Sequence, residues 1–170
     1  MSLSISMNNF ENELGNEAVL VDLLKERKYL IATAESCTGG LIAATIVNVS
    51  GSSEVFHTGI ITYANESKVK ELGVDTAIID KFGAVSEEVA IEMAKGVLKH
   101  TGADVSVSVT GIAGPSGATE HKPVGLIYIS CNILGDVKTR KYLLQGNRNE
   151  IREETVRCAL QFVIDRLKEK

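Results

Sequence analysis

The chain has 170 residues, 44% of them hydrophobic and 24% charged, which is enough for one domain with a sizeable core. Its formal net charge is -4 and its Lys and Arg residues are interleaved with acids, so direct binding of nucleic acid is not expected. No apolar run reaches the roughly 20 residues that a membrane-spanning helix needs, so no membrane partner is expected either.

The N-terminal segment, MSLSISMNNFENEL, has neither the basic start nor the apolar stretch of a signal peptide. We expect residues 1 to about 15 to be an extension of a single domain that spans 1–170. Met7 is an alternative natural start, which would make residues 1–6 a cloning remnant.

The first half of the chain alternates predicted helices and strands. Its hydrophobic periodicity and β-branched content predict helix, strand, helix, strand and short helix, over 16–27, 29–34, 41–47, 56–63 and 66–72 in that order. Asn65 is the predicted N-cap of the short helix, and Gly73 ends it.

The second half begins with an amphipathic helix over 87–101. Ser86 is a good N-cap for it, and Val89, Met93 and Val97 recur at the spacing of one helix face. Three strands and a final helix are predicted after it, over 105–110, 125–131, 137–144 and 149–168.

This order of elements indicates a three-layer α/β/α sandwich with a mixed, mainly parallel sheet that is antiparallel at one side. In open α/β sheets, ligands bind beyond the carboxyl ends of the strands. Three loops that follow predicted strands carry polar residues that a buried turn does not need, so these loops are the candidate site.

The first loop reads ESCTGG and joins a strand to a helix. Such a turn can offer backbone N–H groups to an anion, or expose a nucleophile at the top of a sheet. Ser36 is the candidate nucleophile, and Cys37 is its rival because thiolates attack more readily. The alternative is that Ser36 or Thr38 only caps the helix.

The second loop reads TYANESK and offers Tyr63 and Lys68. A lysine in the first turn of a helix opposes the helix dipole, at a cost of about 0.3 to 1 kcal/mol when exposed. This placement favours a functional Lys68, and the alternative is an ordinary surface lysine.

The third loop reads TGIAGPSG. Gly111, Gly114 and Gly117 let the backbone approach a ligand closely, and Thr110 offers a hydroxyl. The alternative is a flexible connection built from turn residues.

The cysteines and histidines are too scattered to form a metal site. They are Cys37, Cys131, Cys158, His57, His100 and His121. We therefore expect no metal and no other cofactor, and the unclustered cysteines fit a reducing cytoplasm. The only histidine near the three loops is His121, in the Gly- and Pro-rich segment GIAGPSGATEHKP that continues the third loop, so a Ser–His–Asp triad is poorly supported. A Ser–Lys pair is the alternative, and it requires that burial or cationic neighbours lower the pKa of the lysine.

Five segments carry a family resemblance, and they occur in the family's order. They read TAESCTGGLIAA, GSSEVFHTGIITYANESKVKELGV, GAVSEEVAIEMAKG, SVTGIAGPSGATEHKPVGLIYI and GNRNEIREETVRCAL. From about Asn16 to its end, the chain resembles the CinA C-terminal domain family, whose characterised stand-alone members are nicotinamide-nucleotide amidases. The resemblance implies an α/β/α fold, often dimeric, that hydrolyses the carboxamide of nicotinamide mononucleotide to the acid and ammonia.

The resemblance also implies roles for individual residues. Ser36 matches the family's nucleophile and Lys68 its general base. Tyr63 and Thr110 match residues of the active-site pocket. Arg148 matches a pocket arginine suited to a carboxylate or a phosphate.

One position departs from the family pattern. The family commonly has Asp where this chain has Asn147, which bears on the local support of the pocket arginine.

The nucleophile loop has further expected roles. Backbone N–H groups of residues 37–40 are expected to stabilise the oxyanion, and Cys37 is then a packing residue. Glu35 either organises the turn or holds a substrate hydroxyl. The expected substrate-binding set is Glu35, Thr38, Gly39, Gly40, Tyr63, Thr110, Gly111, Ala113, Gly114 and Arg148.

Two functions without turnover remain as alternatives. One is a nucleotide-binding module, and the other is a protein-interaction domain tied to DNA repair or competence. The charge of Lys68 distinguishes the nucleotide-binding module from an amidase, because phosphate binding needs a charged lysine whereas catalysis needs a neutral one. We expect a cytoplasmic homo-oligomer, most simply a dimer, that acts on nicotinamide mononucleotide.

Overall fold

A computed structural model describes residues 15–170, so residues 1–14 of the expected extension lie outside the described part of the chain. The helices are α1 (Asn16–Arg27), α2 (Leu41–Val47), α3 (Asn65–Leu72), α4 (Thr76–Phe82), α5 (Glu87–Thr101) and α6 (Arg148–Lys168). The strands are β1 (Ile31–Glu35), β2 (Phe56–Ile61), β3 (Val105–Gly111), β4 (Leu126–Ile133) and β5 (Asp136–Leu143).

The strands form one five-stranded sheet in the order β2-β1-β3-β4-β5. β1 runs parallel to β2 and β3, whereas β4 is antiparallel to both β3 and β5. Only β4 therefore points against the other strands, which confirms the prediction of a mixed, mainly parallel sheet with an antiparallel side.

Helices cover both faces of the sheet, so the predicted three layers are confirmed. Apolar residues of α1, α2 and α6 form one core cluster with the sheet. Residues of α3, α4 and α5 form a second cluster on the opposite face. All five residues of β1 are buried, as expected for a central strand covered on both sides.

β3 alternates valines with hydroxyl residues, and the two sets face different layers. Its valines belong to the cluster of α1, α2 and α6. On the opposite face, Ser106 and Ser108 donate to carbonyl oxygens of α5, and Thr110 donates to Ala84 O at 2.7 Å. These bonds satisfy buried hydroxyls that would otherwise destabilise the layer contact. The sequence VSVSVT is thus compatible with a strand buried on both faces.

The strand order brings the three candidate loops together. Because β1, β2 and β3 are adjacent and parallel, their carboxyl ends lie at the same edge of the sheet. The predicted strand 56–63 ends earlier, at Ile61, so Thr62 and Tyr63 lie beyond the strand at this edge.

Two local predictions need correction. The short helix begins at Asn65 itself, and Ala64 is its N-cap, without a side-chain capping bond. Helix α4 was not predicted; its N-cap Asp75 accepts a hydrogen bond from the Ala77 N–H at 2.8 Å. Its signal was a capping aspartate before a stretch of only seven residues, which is too short to show clear periodicity.

Candidate active site

Ser36 lies directly after β1, in the turn that leads into α2. Its N–H donates to Val109 O at 3.1 Å, and its carbonyl accepts from the Gly39 N–H at 3.0 Å. Gly39 and Gly40 both have positive φ, +60° and +97°, which a residue with a side chain rarely adopts. The two glycines therefore allow the tight turn that holds Ser36 at the edge of the sheet.

Glu35 organises this turn with both of its carboxylate oxygens. One oxygen accepts from the Thr38 hydroxyl at 2.7 Å and from the N–H groups of Gly40 and Ile42, both at 3.0 Å. The other accepts from the Ala43 N–H at 2.9 Å. A carboxylate at a helix N-terminus satisfies free N–H groups and complements the dipole. These contacts favour the turn-organising role of Glu35 over contact with a substrate hydroxyl.

Lys68 reaches from the first turns of α3 to Ser36. Its Nζ lies 3.1 Å from Ser36 Oγ and donates to Thr62 O at 2.7 Å. The lysine is only 1% exposed and Ser36 is 8% exposed. The interpretation of Lys68 as an ordinary surface lysine is therefore wrong.

Burial lowers the pKa of the Lys68 ammonium, because the charged form loses its hydration. Within the described chain, no carboxylate forms an ion pair with Lys68 that would restore the charge. The lysine also lies near the positive end of its own helix, which disfavours a second positive charge. This environment favours a neutral amine, the form that can accept a proton from Ser36.

Cys37 is the rival nucleophile, and its surroundings disfavour the thiolate. The residue is 6% exposed, and burial raises the pKa of its thiol to about 12, against weaker opposing effects of Lys68 and Arg152. A thiol with so high a pKa carries almost no thiolate near neutral pH. Of the two neighbours, Ser36 is the one with a base at hydrogen-bond distance.

A cavity of about 320 Å³ opens over Ser36 and Lys68. Its lining includes Arg148 of α6 and predicted residues of all three loops, namely Ser36, Tyr63, Lys68, Thr110, Gly111, Ala113, Gly114 and Gly117. Thr110 lines it while its hydroxyl is bonded to Ala84 O, so it also anchors a wall of the cavity. The structure thus brings the three candidate loops together around one space.

The Arg148 side chain forms hydrogen bonds with residues of two of these loops. Its Nη2 donates to the Tyr63 hydroxyl at 2.7 Å, and its Nη1 donates to Gly114 O, also at 2.7 Å. Asn147 caps α6 through bonds to the N–H groups of Asn149 and Glu150. Asn at this position thus supplies the capping oxygen, so the departure from the family's Asp leaves the helix start before Arg148 intact.

Four predicted substrate contacts do not line the cavity: Glu35, Thr38, Gly39 and Gly40. The Gly39 and Gly40 N–H groups are already bonded within the turn, to Ser36 O and to Glu35. Of the four backbone donors expected to hold an oxyanion, Cys37 and Thr38 are those whose N–H has no acceptor in the described chain. An oxyanion role therefore stays a prediction for these two donors.

Sequence reasoning missed two residues near the site. Asn65 lines the cavity and is the first residue of α3 instead of its predicted N-cap. Arg152 donates to the carbonyl oxygens of Cys37 and Thr38, at 3.1 and 2.9 Å. The available signal was the four-residue spacing of Arg148 and Arg152, which lie on one face of α6 because that helix begins at Arg148, one residue before its predicted start.

Residues 15–170 contain no group of three or more His, Cys, Asp or Glu side chains arranged to hold a metal ion. None of their helices has both the length and the apolar character needed to cross a lipid bilayer.

Comparison with known proteins identifies relatives of this chain. A family model described as CinA C-terminal domain matches residues 14–167. A CinA-like protein from Kosmotoga olearia is 54% identical over 147 residues, which are 86% of this chain and 36% of that protein. A CinA-like protein from Dictyoglomus thermophilum is 48% identical over 153 residues, which are 90% of this chain and 37% of that protein. The chain therefore spans just over a third of the length of these curated relatives.

Solved structures agree with this comparison. The competence/damage inducible protein CihA from Agrobacterium tumefaciens has a TM-score of 0.86 and 38% identity, with 99% of both chains covered. A CinA superfamily protein from Klebsiella pneumoniae has a TM-score of 0.88 and 28% identity, covering 92% of this chain and 100% of that one. The resemblance is confirmed: the chain belongs to the CinA C-terminal domain family, whose model matches residues 14–167.

Proposed function

We propose that this domain is an amidohydrolase that converts nicotinamide mononucleotide to nicotinate mononucleotide and ammonia. The observation that carries the proposal is the buried contact between Lys68 Nζ and Ser36 Oγ, at 3.1 Å. A serine with a partly desolvated lysine beside it is suited to nucleophilic attack on an amide. The choice of substrate follows from the family resemblance.

In the first half of the proposed reaction, the neutral amine of Lys68 takes the proton of the Ser36 hydroxyl. Ser36 Oγ attacks the carboxamide carbon, and the carbonyl oxygen becomes an oxyanion near the N–H groups of the turn. The Lys68 ammonium then gives its proton to the amide nitrogen, the C–N bond breaks and ammonia leaves. Ser36 is left esterified with the nicotinoyl group.

In the second half, Lys68 is neutral again and takes a proton from a water molecule. The resulting hydroxide attacks the ester carbon, and the same turn holds the second oxyanion. Lys68 returns its proton to Ser36 Oγ as the ester bond breaks, which releases the carboxylic acid and restores the resting pair. The acid then gives its remaining proton to solvent and becomes the carboxylate. Throughout, Thr62 O accepts a hydrogen bond from Lys68 and keeps the amine directed at the serine.

Arg148 is proposed to bind the anionic part of the substrate. It is exposed at the rim of the cavity, and its guanidinium is already held by Tyr63 and Gly114. A planar guanidinium held in place suits the oxygens of a phosphate. The cavity of about 320 Å³ has a size suited to a small-molecule ligand.

The decisive experiment incubates the purified protein with nicotinamide mononucleotide and measures ammonia and nicotinate mononucleotide. The proposal would be supported if the wild-type protein forms the two products in equal amounts and the Ser36→Ala variant forms neither. Binding of the nucleotide without ammonia release would favour the non-catalytic nucleotide-binding alternative. If the protein neither binds nor hydrolyses the nucleotide, the protein-interaction alternative would be favoured.

We also propose that the protein works as a cytoplasmic homodimer. The family resemblance supports the dimer, and the three free cysteines, Cys37, Cys131 and Cys158, are compatible with a reducing compartment. Light scattering coupled to gel filtration tests the dimer, and a monomer at micromolar concentration would contradict it.

A further inference from the structure

Arg152 connects helix α6 to the turn that carries Ser36. Its Nε donates to Cys37 O at 3.1 Å, and its Nη2 donates to Thr38 O at 2.9 Å. Both acceptors are main-chain oxygens of the segment between β1 and α2. One guanidinium thus binds the two residues that immediately follow Ser36.

The charge of Arg152 is directed at these peptide oxygens and not at an acid. Among residues 15–170, no carboxylate forms an ion pair with it. The turn is consequently held from two sides: Glu35 binds its N–H groups, and Arg152 binds its carbonyl groups. Hydrogen bonds in which one partner is charged are the stronger kind, so both contacts restrain the turn.

A cation at a carbonyl oxygen also affects the N–H of the same peptide group. It draws electron density toward the oxygen, and linked hydrogen bonds strengthen one another by such polarisation. Cys37 O shares its peptide with the Thr38 N–H, which has no acceptor in the described chain. Thr38 O shares its peptide with the Gly39 N–H, which closes the turn onto Ser36 O.

We propose that Arg152 is a positioning residue for the reaction at Ser36: it fixes the turn that carries Ser36 and strengthens the Thr38 N–H, one of the two donors predicted for the oxyanion. The inference rests on the proposed amidase function. Arg152 does not line the cavity, so it acts through Cys37 and Thr38 and does not touch the substrate. Its effect therefore falls on the transition state, and substrate binding is largely spared.

The test compares Arg152→Gln and Arg152→Lys with the wild-type protein. Loss of one oxyanion donor costs about 100- to 1,000-fold in kcat, so a weakened donor in Arg152→Gln is expected to cost about 10- to 100-fold, with KM changed by less than about threefold. Arg152→Lys keeps the charge and is expected to recover kcat to within about tenfold of wild type. Arg157→Gln is the matched control, because Arg157 lies on the same helix and pairs with Glu154 away from the turn.

Three results would overturn the inference. One is a kcat of Arg152→Gln within about twofold of wild type. Another is an equal loss of kcat in the Gln and Lys variants together with an equal fall in Tm, since that pattern means support of the fold alone. A rise in KM that accounts for the whole loss of kcat/KM would also contradict it, because it would place Arg152 in substrate binding.

A second measurement separates this inference from the choice of substrate. A fluorophosphonate reagent phosphonylates an activated serine without any nucleotide, and its rate should fall in Arg152→Gln and recover in Arg152→Lys. Labelling of Ser36 with this pattern, but no ammonia from nicotinamide mononucleotide, would overturn only the substrate assignment. A wild-type protein that neither labels nor hydrolyses would overturn both proposals.

Discussion

The amine of Lys68 lies 3.1 Å from the hydroxyl of Ser36, although the two residues are 32 positions apart in the chain. The contact is buried and pairs a nucleophile with a base that burial pushes toward its neutral form. It is the feature on which most of the following predictions depend.

Ser36→Ala is expected to abolish amidase activity, because among residues 15–170 the Ser36 hydroxyl is the one hydrogen-bonded to Lys68 Nζ. The loss should exceed about 1,000-fold in kcat, while the melting temperature stays close to that of the wild type. Cys37→Ala is the matched control, since it alters the adjacent residue and leaves the serine and lysine in place. If Cys37→Ala were the inactive variant and Ser36→Ala retained turnover, the thiol would be the nucleophile.

The pH profile of kcat/KM should report the pKa of Lys68. A base must be neutral, and the neutral fraction of a lysine increases as pH rises through its pKa, so activity should rise with pH. Burial lowers that pKa, so the midpoint of the limb should lie below the ordinary value of about 10.4. A flat profile between pH 6 and 10 would contradict a titrating lysine base.

Lys68→Arg separates the role of a base from that of a positive charge. Arginine keeps the charge but does not give up a proton in this pH range, so turnover should fall more than about 100-fold. Lys70→Arg is the control, because Lys70 is an exposed residue of the same helix that pairs with Glu71. Near-normal turnover in Lys68→Arg would mean that the lysine supplies only charge.

Arg148→Ala is expected to weaken binding of the mononucleotide. If the guanidinium binds phosphate, KM for nicotinamide mononucleotide should rise about 10- to 100-fold, and KM for the riboside that lacks phosphate should change far less. Steady-state kinetics with both substrates provide the comparison. Equal effects on the two substrates would remove the phosphate role.

Glu35→Gln should destabilise the protein. The carboxylate accepts three hydrogen bonds on one oxygen and one on the other, and an amide NH₂ would oppose an N–H donor at one of these positions. We expect a loss of about 1 to 3 kcal/mol in the free energy of unfolding, measured by urea denaturation. Glu87→Gln, at an exposed position in the first turn of α5, should change it by less than about 0.5 kcal/mol. A similar small change in Glu35→Gln would argue against its organising role.

Metal removal should leave the activity unchanged. The proposed chemistry needs only Ser36, Lys68 and backbone donors, so incubation with EDTA followed by desalting should not alter kcat. A loss of activity that added divalent metal restores would contradict the proposed mechanism.

The sequence by itself determined most of the local structure. Hydrophobic periodicity and capping residues predicted every strand and five of the six α-helices of residues 15–170, because these patterns act over a few residues. The same local signals selected the three loops that line the cavity. They misplaced the start of α3 and missed α4, where the helix is short and its cap is the main signal.

Only the tertiary structure decided which of the selected residues meet. Ser36 and Lys68 contact each other because β1 and β2 are parallel neighbours, and strand order is a property of the whole sheet. The contact of Arg152 with the turn likewise depends on α6 packing over α2, from the far end of the chain. The lowered pKa of Lys68 follows from burial, which a sequence position does not specify and a packed core does.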